Sequence, residues 1–439
     1  MIYPALLDTF IFPVTNIFMG RKFWFIYHQL QKSQWFNREQ IEQIQVLKLR
    51  KLVAHAYATV PLYRQLMDNK KVRPEEIKTL ADIKKLPIVS KKDFRQDFPD
   101  RCTSITTSRK DWIFDSTSGS TGSPFQFIRD KQFSDYALAN TYRNYTWTGI
   151  FIGQRIASLW GFHTSSWGVK ILDTLLRRKF FSSFDIEKNF TDYYLAMKSY
   201  HPVLIEAYSA SITHFAKLLQ ENDITDLHIP YAISSAETLY PENRKLIEHT
   251  LHTQVFDRYG SREVGNVAHE CREHKGLHIN AETYIVEVVK DKPSDEKGHL
   301  VVTNLSNFTM PFIRYDTEDY AIASNKTCAC GRGLPLLERV EGRITDFIKL
   351  PNGKELSFLF FNYFFEQYGA YLKQFQVIQD SPKHLLIKLV VTEKYTLTKE
   401  KELIAGIKKK VGDMNIDVEQ VYEIKKETSG KLRPVKRLI

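Results

Sequence analysis

Short apolar runs alternate with helix-like segments through the middle of the chain, and this alternation restricts the fold more than any other feature. Runs at Arg155–Gly161, Val203–Ala207 and Tyr231–Ser235 have the length and composition of buried strands. The segments 167–178 and 209–221 between them have helical patterns. Strands that alternate with helices are typically joined by crossovers within a parallel sheet. The sequence therefore predicts an α/β fold.

The regions on either side extend this prediction. Helices are expected at 37–68, 74–86 and 131–148, and the first has a capping pair, Asn37 with Gln40, at its start. Further strands are expected at Tyr284–Val289, His299–Leu305 and Phe312–Tyr315.

The pattern changes again in the last quarter of the chain. Strands are expected near 374–379 and 384–392, and a helix at 398–410. We therefore expect two domains joined near Arg343 to Asp346. The larger is 1–343, with a helical N-terminal arm over 1–70, and the smaller is an α+β domain over 344–439.

Residues 115–124 read DSTSGSTGSP, and apolar stretches at 112–114 and 125–128 that look like strands flank them. The run is therefore expected to be a hairpin tip rather than a flexible linker. Gly119 and Gly122 allow close backbone approach, and successive N–H groups can form an anion-binding nest. The hydroxyls of Ser118, Ser120 and Thr121 add donors. Such a loop suits a polyphosphate, although Ser123 stands where the common phosphate-binding loop has lysine.

The charge of the chain is consistent with an anionic ligand. It has 439 residues, 62 of them Lys or Arg and 51 Asp or Glu, for a net charge of +11. The excess favours polyanions such as nucleotides, although most of the basic residues are scattered as they are on solvated helix faces. Four cysteines are too few for a disulfide framework in a chain of this length, which favours a reducing, cytoplasmic compartment.

The first 30 residues are apolar but are interrupted by Pro4, Asp8, Pro13 and Arg21. They lack the basic start and the small-residue cleavage site of a signal peptide, and they do not read as a spanning helix. We expect an N-terminal arm that packs on the body, with peripheral membrane contact as the alternative.

Four further motifs follow the hydroxyl-rich run in a fixed order. They are Asp257-Arg258-Tyr259-Gly260-Ser261-Arg262-Glu263, then Arg314 to Asp319, then Glu341 to Lys349, and finally Thr428-Ser429-Gly430-Lys431. Each is weak alone. Together with DSTSGSTGSP they resemble the adenylate-forming superfamily over nearly the whole chain. The stretches KSQWFNREQIEQIQ (32–45), HAYATVPLYRQL (55–66) and CACGR (328–332) resemble the phenylacetate–CoA ligase, coenzyme F390 synthetase and CapK group. CapK-like members are associated with surface polysaccharide genes.

This resemblance implies a large adenylate-forming, acyl-CoA synthetase-like domain and a small mobile C-terminal domain. It also implies roles for individual residues. Thr117, Ser118, Gly119, Ser120, Thr121 and Gly122 would hold the phosphates of ATP. Ser235, Ala236, Glu237, Tyr259 and Gly260 would line or stack on the adenine, and Asp319 would bind the ribose, with Arg343 as a further contact. Glu263 would bind Mg²⁺, and Lys431, with Glu263 and Thr121, would serve adenylation.

These residue types suit the chemistry. A carboxylate that attacks the α-phosphorus of ATP meets charge repulsion, which Mg²⁺ and a lysine neutralise. Three positions depart from the family pattern. Ser123 replaces a usual lysine, Thr345 a usual acidic hinge residue, and Asp316 an arginine that is frequent in this branch.

The cysteines predict a second kind of site. Cys328 and Cys330 form a CxC turn, and Cys271 precedes His274 and His278. A Cys₃His set is typical of structural zinc, and unrelated thiols are the alternative. The resemblance implies zinc binding at matching positions, so Cys271, His278, Cys328 and Cys330 are the expected ligands, with His274 as the alternative to His278.

The function expected from these residues is ATP-dependent activation of a small carboxylic acid as acyl-AMP, followed by transfer to CoA or an amine, in surface polysaccharide biosynthesis. A nucleotidyltransferase of the F390 synthetase type and a basic, non-enzymatic binding module are the alternatives. The expected cofactors are ATP and Mg²⁺, with CoA and structural Zn²⁺ as further candidates. No nucleic-acid partner is expected.

Overall fold

The chain divides into two compact units, of which the larger ends at Glu341 and the smaller begins at Gly342. A computed structural model describes residues 2–96, 98–117, 125–161, 167–184, 186–343, 347–352, 355–357, 360–361, 364–365, 367–368, 370–425 and 433–439. The larger unit holds helices around a mixed sheet, and the smaller holds strands and a helix. The predicted α/β class with a small α+β part is confirmed.

Helices dominate the N-terminal region. They are α1 (Ile2–Leu6), a π-helical turn at Leu7–Ile11, α2 (Phe12–Phe18), α3 (Phe23–Ser33), α4 (Arg38–Thr59) and α5 (Pro61–Asn69). Asn37 and Gln40 form the expected capping box at the start of α4. The prediction of one helix over 37–68 is wrong at Val60, because Pro61 cannot donate a backbone hydrogen bond and instead begins α5.

The helix expected at 74–86 is also wrong. Two short 3₁₀ turns, Pro74–Glu76 and Leu80–Lys85, take its place. The carboxylate of Asp82 accepts hydrogen bonds from the backbone and hydroxyl of Thr79, which starts a new turn within the segment. The short helix α6 (Lys91–Arg95) follows.

Strands β1 (Ile113–Thr117) and β2 (Phe125–Arg129) form an antiparallel pair in which Thr117 lies opposite Phe125. The predicted strands on both sides of the hydroxyl-rich run are therefore confirmed. Phe125 is buried and stacks at 6.4 Å on Tyr315. The side chain of Asp130 caps the start of helix α7 (Lys131–Thr148), and Gly149, whose φ is +92°, caps its end.

Five parallel strands form one end of the main sheet, in the order β4-β3-β5-β6-β7 with β4 at the edge. They are β3 (Ile156–Trp160), β4 (Arg178–Ser182), β5 (Leu204–Tyr208), β6 (Tyr231–Ser235) and β7 (Gln254–Ser261). Four helices lie between them in sequence, namely α8 (Trp167–Leu175), α9 (Phe190–Tyr200), α10 (Ser209–Glu221) and α11 (Pro241–Leu251). The helix expected over 167–178 stops at Leu175. Arg177, with φ of +51°, turns the chain into β4, which the sequence did not predict.

Antiparallel strands complete the sheet. They are β8 (Gly265–Glu270), β9 (Leu277–Ile279), β10 (Tyr284–Val289), β11 (Gly298–Asn304), β12 (Tyr315–Ser324) and β13 (Leu336–Arg343). The strand expected at Phe312–Tyr315 is wrong, because Arg314 has a left-handed φ of +48° that extended strands do not accommodate. Strand β12 therefore begins only at Tyr315.

The smaller unit has its own four-stranded sheet. The elements of this unit are β14 (Phe347–Lys349), β15 (Glu355–Ser357), β16 (Leu372–Ser381), β17 (His384–Val391), α12 (Leu397–Val411), β18 (Asn415–Gln420) and β19 (Val435–Arg437). The four-stranded sheet has the order β18-β17-β16-β19, and β14 pairs with β15. The predicted strands near 374–379 and 384–392 and the helix at 398–410 are confirmed.

The N-terminal arm packs on the larger unit through Leu7, Phe12 and Phe23, which share a core with α7. Leu6, Phe10, Val14 and Phe18, spaced four residues apart, remain exposed. Within the part of the chain that the structure describes, no helix has the length and apolar character to cross a membrane. Peripheral membrane contact stays a prediction.

Candidate active site

The ends of β6 and β7 place two of the predicted nucleotide-binding segments side by side. Ser235, the last residue of β6, lies opposite Arg258 of β7. Its hydroxyl accepts from Nε of Arg258 at 3.1 Å and donates to the carbonyl of Arg258 at 3.2 Å. Ala236 then turns the chain with a φ of +68°, and the carboxylate of Glu237 accepts from the N–H of Ala210 at 2.8 Å. Ligands of parallel sheets bind at this carboxyl edge.

Tyr259 and Asp319, expected to contact adenine and ribose, are in direct contact. The Tyr259 hydroxyl donates to Oδ2 of Asp319 at 2.6 Å. Burial, and then the charge of Asp319, raise the pKa of Tyr259 well above its usual value, so the phenol stays protonated and orients the carboxylate. Asp316 instead accepts from the backbone N–H of Glu318 at 2.9 Å.

Glu263 lies buried at the turn between β7 and β8. The hydroxyl of Tyr315 donates to its Oε1 at 3.2 Å, whereas Oε2 has no hydrogen-bond partner among the described residues. A buried carboxylate oxygen without a partner is costly unless a cation or donor reaches it. The site therefore fits Mg²⁺, which typically takes one or two protein carboxylates together with phosphate oxygens and water.

The turn itself depends on Gly260. A Cβ at this position would lie 2.4 Å from the carbonyl oxygen of Gly265, so only glycine allows β7 and β8 to approach this closely. Arg262 on the same turn forms an ion pair of 2.6 Å with Asp115 of β1, and Asp115 also pairs with Arg129 at 2.7 Å. These contacts hold the β1–β2 hairpin beside the turn.

Several predicted residues cannot be placed. Thr117 ends β1 and Arg343 ends β13, but the side chain of Arg343 is not described. Residues Ser118, Gly119, Ser120, Thr121, Gly122, Ser123, Thr345 and Lys431 lie outside the described residues.

A cavity of about 260 Å³ adjoins this edge, between α7 and one face of the sheet. Its walls carry hydroxyl and amide groups from Thr141, Tyr145, Ser158 and Asn266, and apolar groups from Leu138, Trp160 and Phe180. Four charged side chains complete the lining: Asp173, Arg178, Glu206 and Arg258. Because Arg258 lines the cavity and directly precedes Tyr259, the cavity adjoins the turn that is predicted to bind the nucleotide.

Glu206 is the centre of the charged group. Its Oε1 accepts from Arg178 at 2.7 Å and from Ser158 at 2.8 Å, and its Oε2 accepts from Tyr145 at 2.6 Å and from Arg258 at 3.4 Å. Burial alone would raise the pKa of Glu206, but the two guanidinium groups and the hydroxyl donors lower it to about 2. The carboxylate is therefore ionised and its hydrogen-bonding capacity is used.

Sequence reasoning missed Arg178, Glu206 and Thr141, because they belong to no motif. One signal was present. Glu206 interrupts the apolar run Val203-Leu204-Ile205, and a carboxylate within a buried strand requires a partner. The sequence did not reveal which partner.

The four expected zinc ligands meet in one place. The potential ligand atoms of Cys271, His278, Cys328 and Cys330 all lie within 4.8 Å of one another. The sulfurs of Cys271 and Cys328 are 3.6 Å apart, and Sγ of Cys330 is 3.3 Å from Nε2 of His278. A tetrahedral zinc site with ordinary bond lengths has S···S separations of about 3.8 Å and S···N separations of about 3.6 Å. The arrangement therefore fits zinc.

Neighbouring groups also favour metal binding by His278 rather than His274. Nδ1 of His278 lies 3.3 Å from the carbonyl of Leu334, which leaves Nε2 directed at the cluster. Burial lowers the pKa of His278 to about 4, so the imidazole is neutral, as a metal ligand must be. His274 lies outside the cluster and contacts Glu270 at 3.1 Å and Gln254 at 2.9 Å.

Comparison with known proteins gives the family. Residues 349–438 match the CapK C-terminal domain. A phenylacetate–coenzyme A ligase of Thermus thermophilus is 25% identical over 322 residues, which are 71% of this chain and 72% of the relative. The chain is an adenylate-forming, phenylacetate–CoA ligase/CapK-like protein. The expected family and the expected enzyme class, an AMP-forming ligase, are confirmed.

Solved structures show the same fold. A 2-hydroxyisobutyryl-CoA ligase in the postadenylation state, in complex with 2-HIB-AMP, has a TM-score of 0.73 at 19% identity and covers 92% of this chain and 90% of its own. In complex with 2-HIB-AMP and CoA in the thioesterification state, it has a TM-score of 0.62 at 19% identity, with the same coverage.

Proposed function

We propose that this protein uses ATP to activate a carboxylic acid as acyl-AMP and then transfers the acyl group to CoA or an amine. One observation carries the proposal: Tyr259 of β7, Asp319 of β12 and the Glu263 oxygen that has no partner among the described residues, at the β7–β8 turn, lie beside a cavity large enough for a small acid. These three residue types match the needs of nucleotide binding and phosphate chemistry.

In the first half-reaction, a carboxylate oxygen of the acid attacks the α-phosphorus of ATP and pyrophosphate leaves. Tyr259 stacks on the adenine with Ser235, Ala236, Glu237 and Gly260 around it, and Asp319 accepts from the ribose hydroxyls, with Arg343 as a further contact. Residues 117–122 hold the phosphates. Lys431 and Thr121 serve the adenylation step, and Glu263 would hold Mg²⁺, whose charge would offset that of the phosphates.

In the second half-reaction, a nucleophile attacks the acyl carbonyl of the adenylate and AMP leaves. The relatives favour CoA as the acceptor, because the similar proteins are CoA ligases and one similar structure contains CoA. The match to the CapK C-terminal domain supports a role in capsule or surface polysaccharide biosynthesis, where an amino sugar would be the amine acceptor.

The domain limits of 1–343 and 344–439, with a mobile smaller domain, belong to this proposal, as does a cytoplasmic location. The four cysteines, none of which forms a disulfide, support a reducing compartment.

The Cys271, His278, Cys328 and Cys330 cluster is proposed to hold structural zinc. Four protein ligands leave no open position for water or substrate, so the metal would stabilise the fold rather than take part in the reaction. It would fix the CxC turn to the segment that follows β8 and to the start of β9.

Pyrophosphate release tests the proposed activity. Purified protein is incubated with ATP, Mg²⁺ and a panel of carboxylic acids, each with and without CoA. We expect acid-dependent release, and a loss of about 100-fold or more in Glu263→Gln if its carboxylate offsets phosphate charge.

Glu273→Gln, an exposed change on a nearby turn, is the matched control and should keep full activity. Acid-dependent release that Glu263→Gln leaves intact would overturn the role of Glu263. No release with any acid would overturn the proposed reaction.

A further inference from the structure

We infer that the acid activated by this protein is polar, with hydroxyl or amide groups on its body, and that Arg178 determines this specificity. The inference rests on the proposed function and concerns its substrate. It is carried by the lining of the 260 Å³ cavity, which has far more polar groups than an apolar acid could use.

The position of the cavity relates it to the reacting carboxylate. Arg258 lies in both regions: its side chain lines the cavity and contacts Glu206, and Nε holds Ser235 at the nucleotide-binding edge. Trp160, the last residue of β3, lines the same cavity at the carboxyl end of its strand. An acid with its carboxylate at this edge would therefore place its body in the cavity.

The charges of the lining cancel. Arg178 and Arg258 are balanced by Glu206 and by the half-buried Asp173 on α8. No surplus charge would therefore neutralise a second carboxylate on the substrate. Neutral hydrogen-bonding groups on the substrate fit this lining better than a second carboxylate does, because the guanidinium, hydroxyl and amide groups of the lining together offer both donors and acceptors.

Arg178 is the more exposed of the two arginines in the lining, and it has donors available to a ligand. Among the described residues it donates to Glu206 at 2.7 Å and to Ser158 at 3.5 Å, both from Nη2, whereas a guanidinium carries five N–H groups on three nitrogens. Its side chain keeps 32% of its surface exposed although it lines the cavity. Glu206, by contrast, already accepts four hydrogen bonds.

An apolar acid would displace water from the polar groups of the cavity lining without replacing the hydrogen bonds that the water made to them. A site built for polar contacts rejects analogues that lack them because its own groups are left unpaired. We therefore expect pyrophosphate release with hydroxylated or amide-bearing acids to exceed that with phenylacetate by about 100-fold in kcat/KM.

The test compares kcat/KM for a short hydroxy acid and for phenylacetate in three variants. Arg178→Met should reduce the preference for the hydroxy acid by about 10-fold or more, by lowering kcat/KM for that acid. Lys179→Met loses the same charge from the next residue of β4, which is exposed, and should keep the wild-type preference.

Arg178→Met with Glu206→Gln removes the ion pair as a unit, so that a folded protein without Arg178 is available even if the single change destabilises the fold. A wild-type preference for phenylacetate, or a preference that neither Arg178 variant changes, would overturn the inference and leave the ligase activity intact. Absence of release with every acid would instead overturn the proposed function and this inference with it.

Discussion

Removal of the Arg178 guanidinium should destabilise the larger unit in a way that depends on pH. Glu206 is buried, and Arg178 makes its shorter ion pair, at 2.7 Å against 3.4 Å for Arg258. In Arg178→Met the buried carboxylate would keep the weaker charge partner and the hydroxyl donors of Ser158 and Tyr145.

The size of the effect follows from the pKa of Glu206. Its fall from the ordinary value of 4.5 to about 2 corresponds to about 3 kcal/mol of stability at neutral pH. Breaking a buried ion pair by removal of one partner costs about 3–5 kcal/mol in other proteins. A rise of this pKa from about 2 to above 4.5 in Arg178→Met corresponds to more than about 3 kcal/mol, so we expect the variant to lose about 3–5 kcal/mol of its free energy of unfolding at pH 7.

The stability contribution of Glu206 depends on pH with opposite sign in the wild type and in Arg178→Met. In the wild type the lowered pKa gives a contribution that is fully present above 4.5 and is lost as pH falls from 4.5 towards 2. In the variant, burial should dominate and hold the pKa of Glu206 above 4.5. The stability of the variant should then fall as pH rises through that higher value, so the difference from wild type should widen between pH 5 and pH 7.

Urea unfolding at pH 5, 6 and 7, followed by tryptophan fluorescence, measures this difference. Lys179→Met should unfold like the wild type at each pH, and the Arg178→Met, Glu206→Gln double variant should lose the added pH dependence. A difference between wild type and Arg178→Met that is equal at pH 5 and pH 7 would refute the reasoning.

Three further outcomes are expected. Elemental analysis of the wild type should find about one zinc per chain, and Cys328→Ser with Cys330→Ser should abolish it and lower the melting temperature; a metal-free wild type of full stability would contradict this. Asp319→Ala should raise the KM for ATP far more than Asp316→Ala, since Tyr259 orients only Asp319, and the reverse order would show that the ribose contact is misassigned. Lys431→Ala should reduce ATP–pyrophosphate exchange by about 100-fold or more with the fold intact, and near-wild-type exchange would remove its assigned role.

The elements that sequence predicted best are those in which local pattern and tertiary packing agree. The helix over 131–148 has a capping residue, Asp130, at its start and a glycine, Gly149, just after its end, and it was predicted at its observed bounds. Strand β4 was missed because the apolar pattern of α8 continues through Leu176, whereas the left-handed turn at Arg177 is set by packing rather than by local composition. Arg314 has the same kind of backbone conformation and shortened a predicted strand in the same way.

The candidate site shows a similar division. The turn proposed to bind the nucleotide could be located from sequence because Tyr259, Gly260 and Glu263 lie within five residues and form a motif that resembles the family's. The cavity could not, because Thr141, Arg178 and Glu206 come from separate elements that only the sheet order brings together. The Cys/His cluster lies between these cases. CxC predicted one half of the site, but only the structure distinguished His278 from His274.

Arg258 connects the two halves of the candidate site, and this limits what its substitution can reveal. Its backbone carbonyl and Nε both bond to Ser235 at the nucleotide-binding edge, while Nη1 contacts Glu206 in the acid cavity. A change at Arg258 would disturb the position of Tyr259 and the lining of the cavity together. Arg178 contacts the cavity side alone, at the start of β4, and its bonds to Glu206 and Ser158 do not reach the turn. The acid preference can therefore be altered at Arg178 while the nucleotide contacts stay in place, so a loss confined to polar acids would assign recognition of the acid to this end of the cavity.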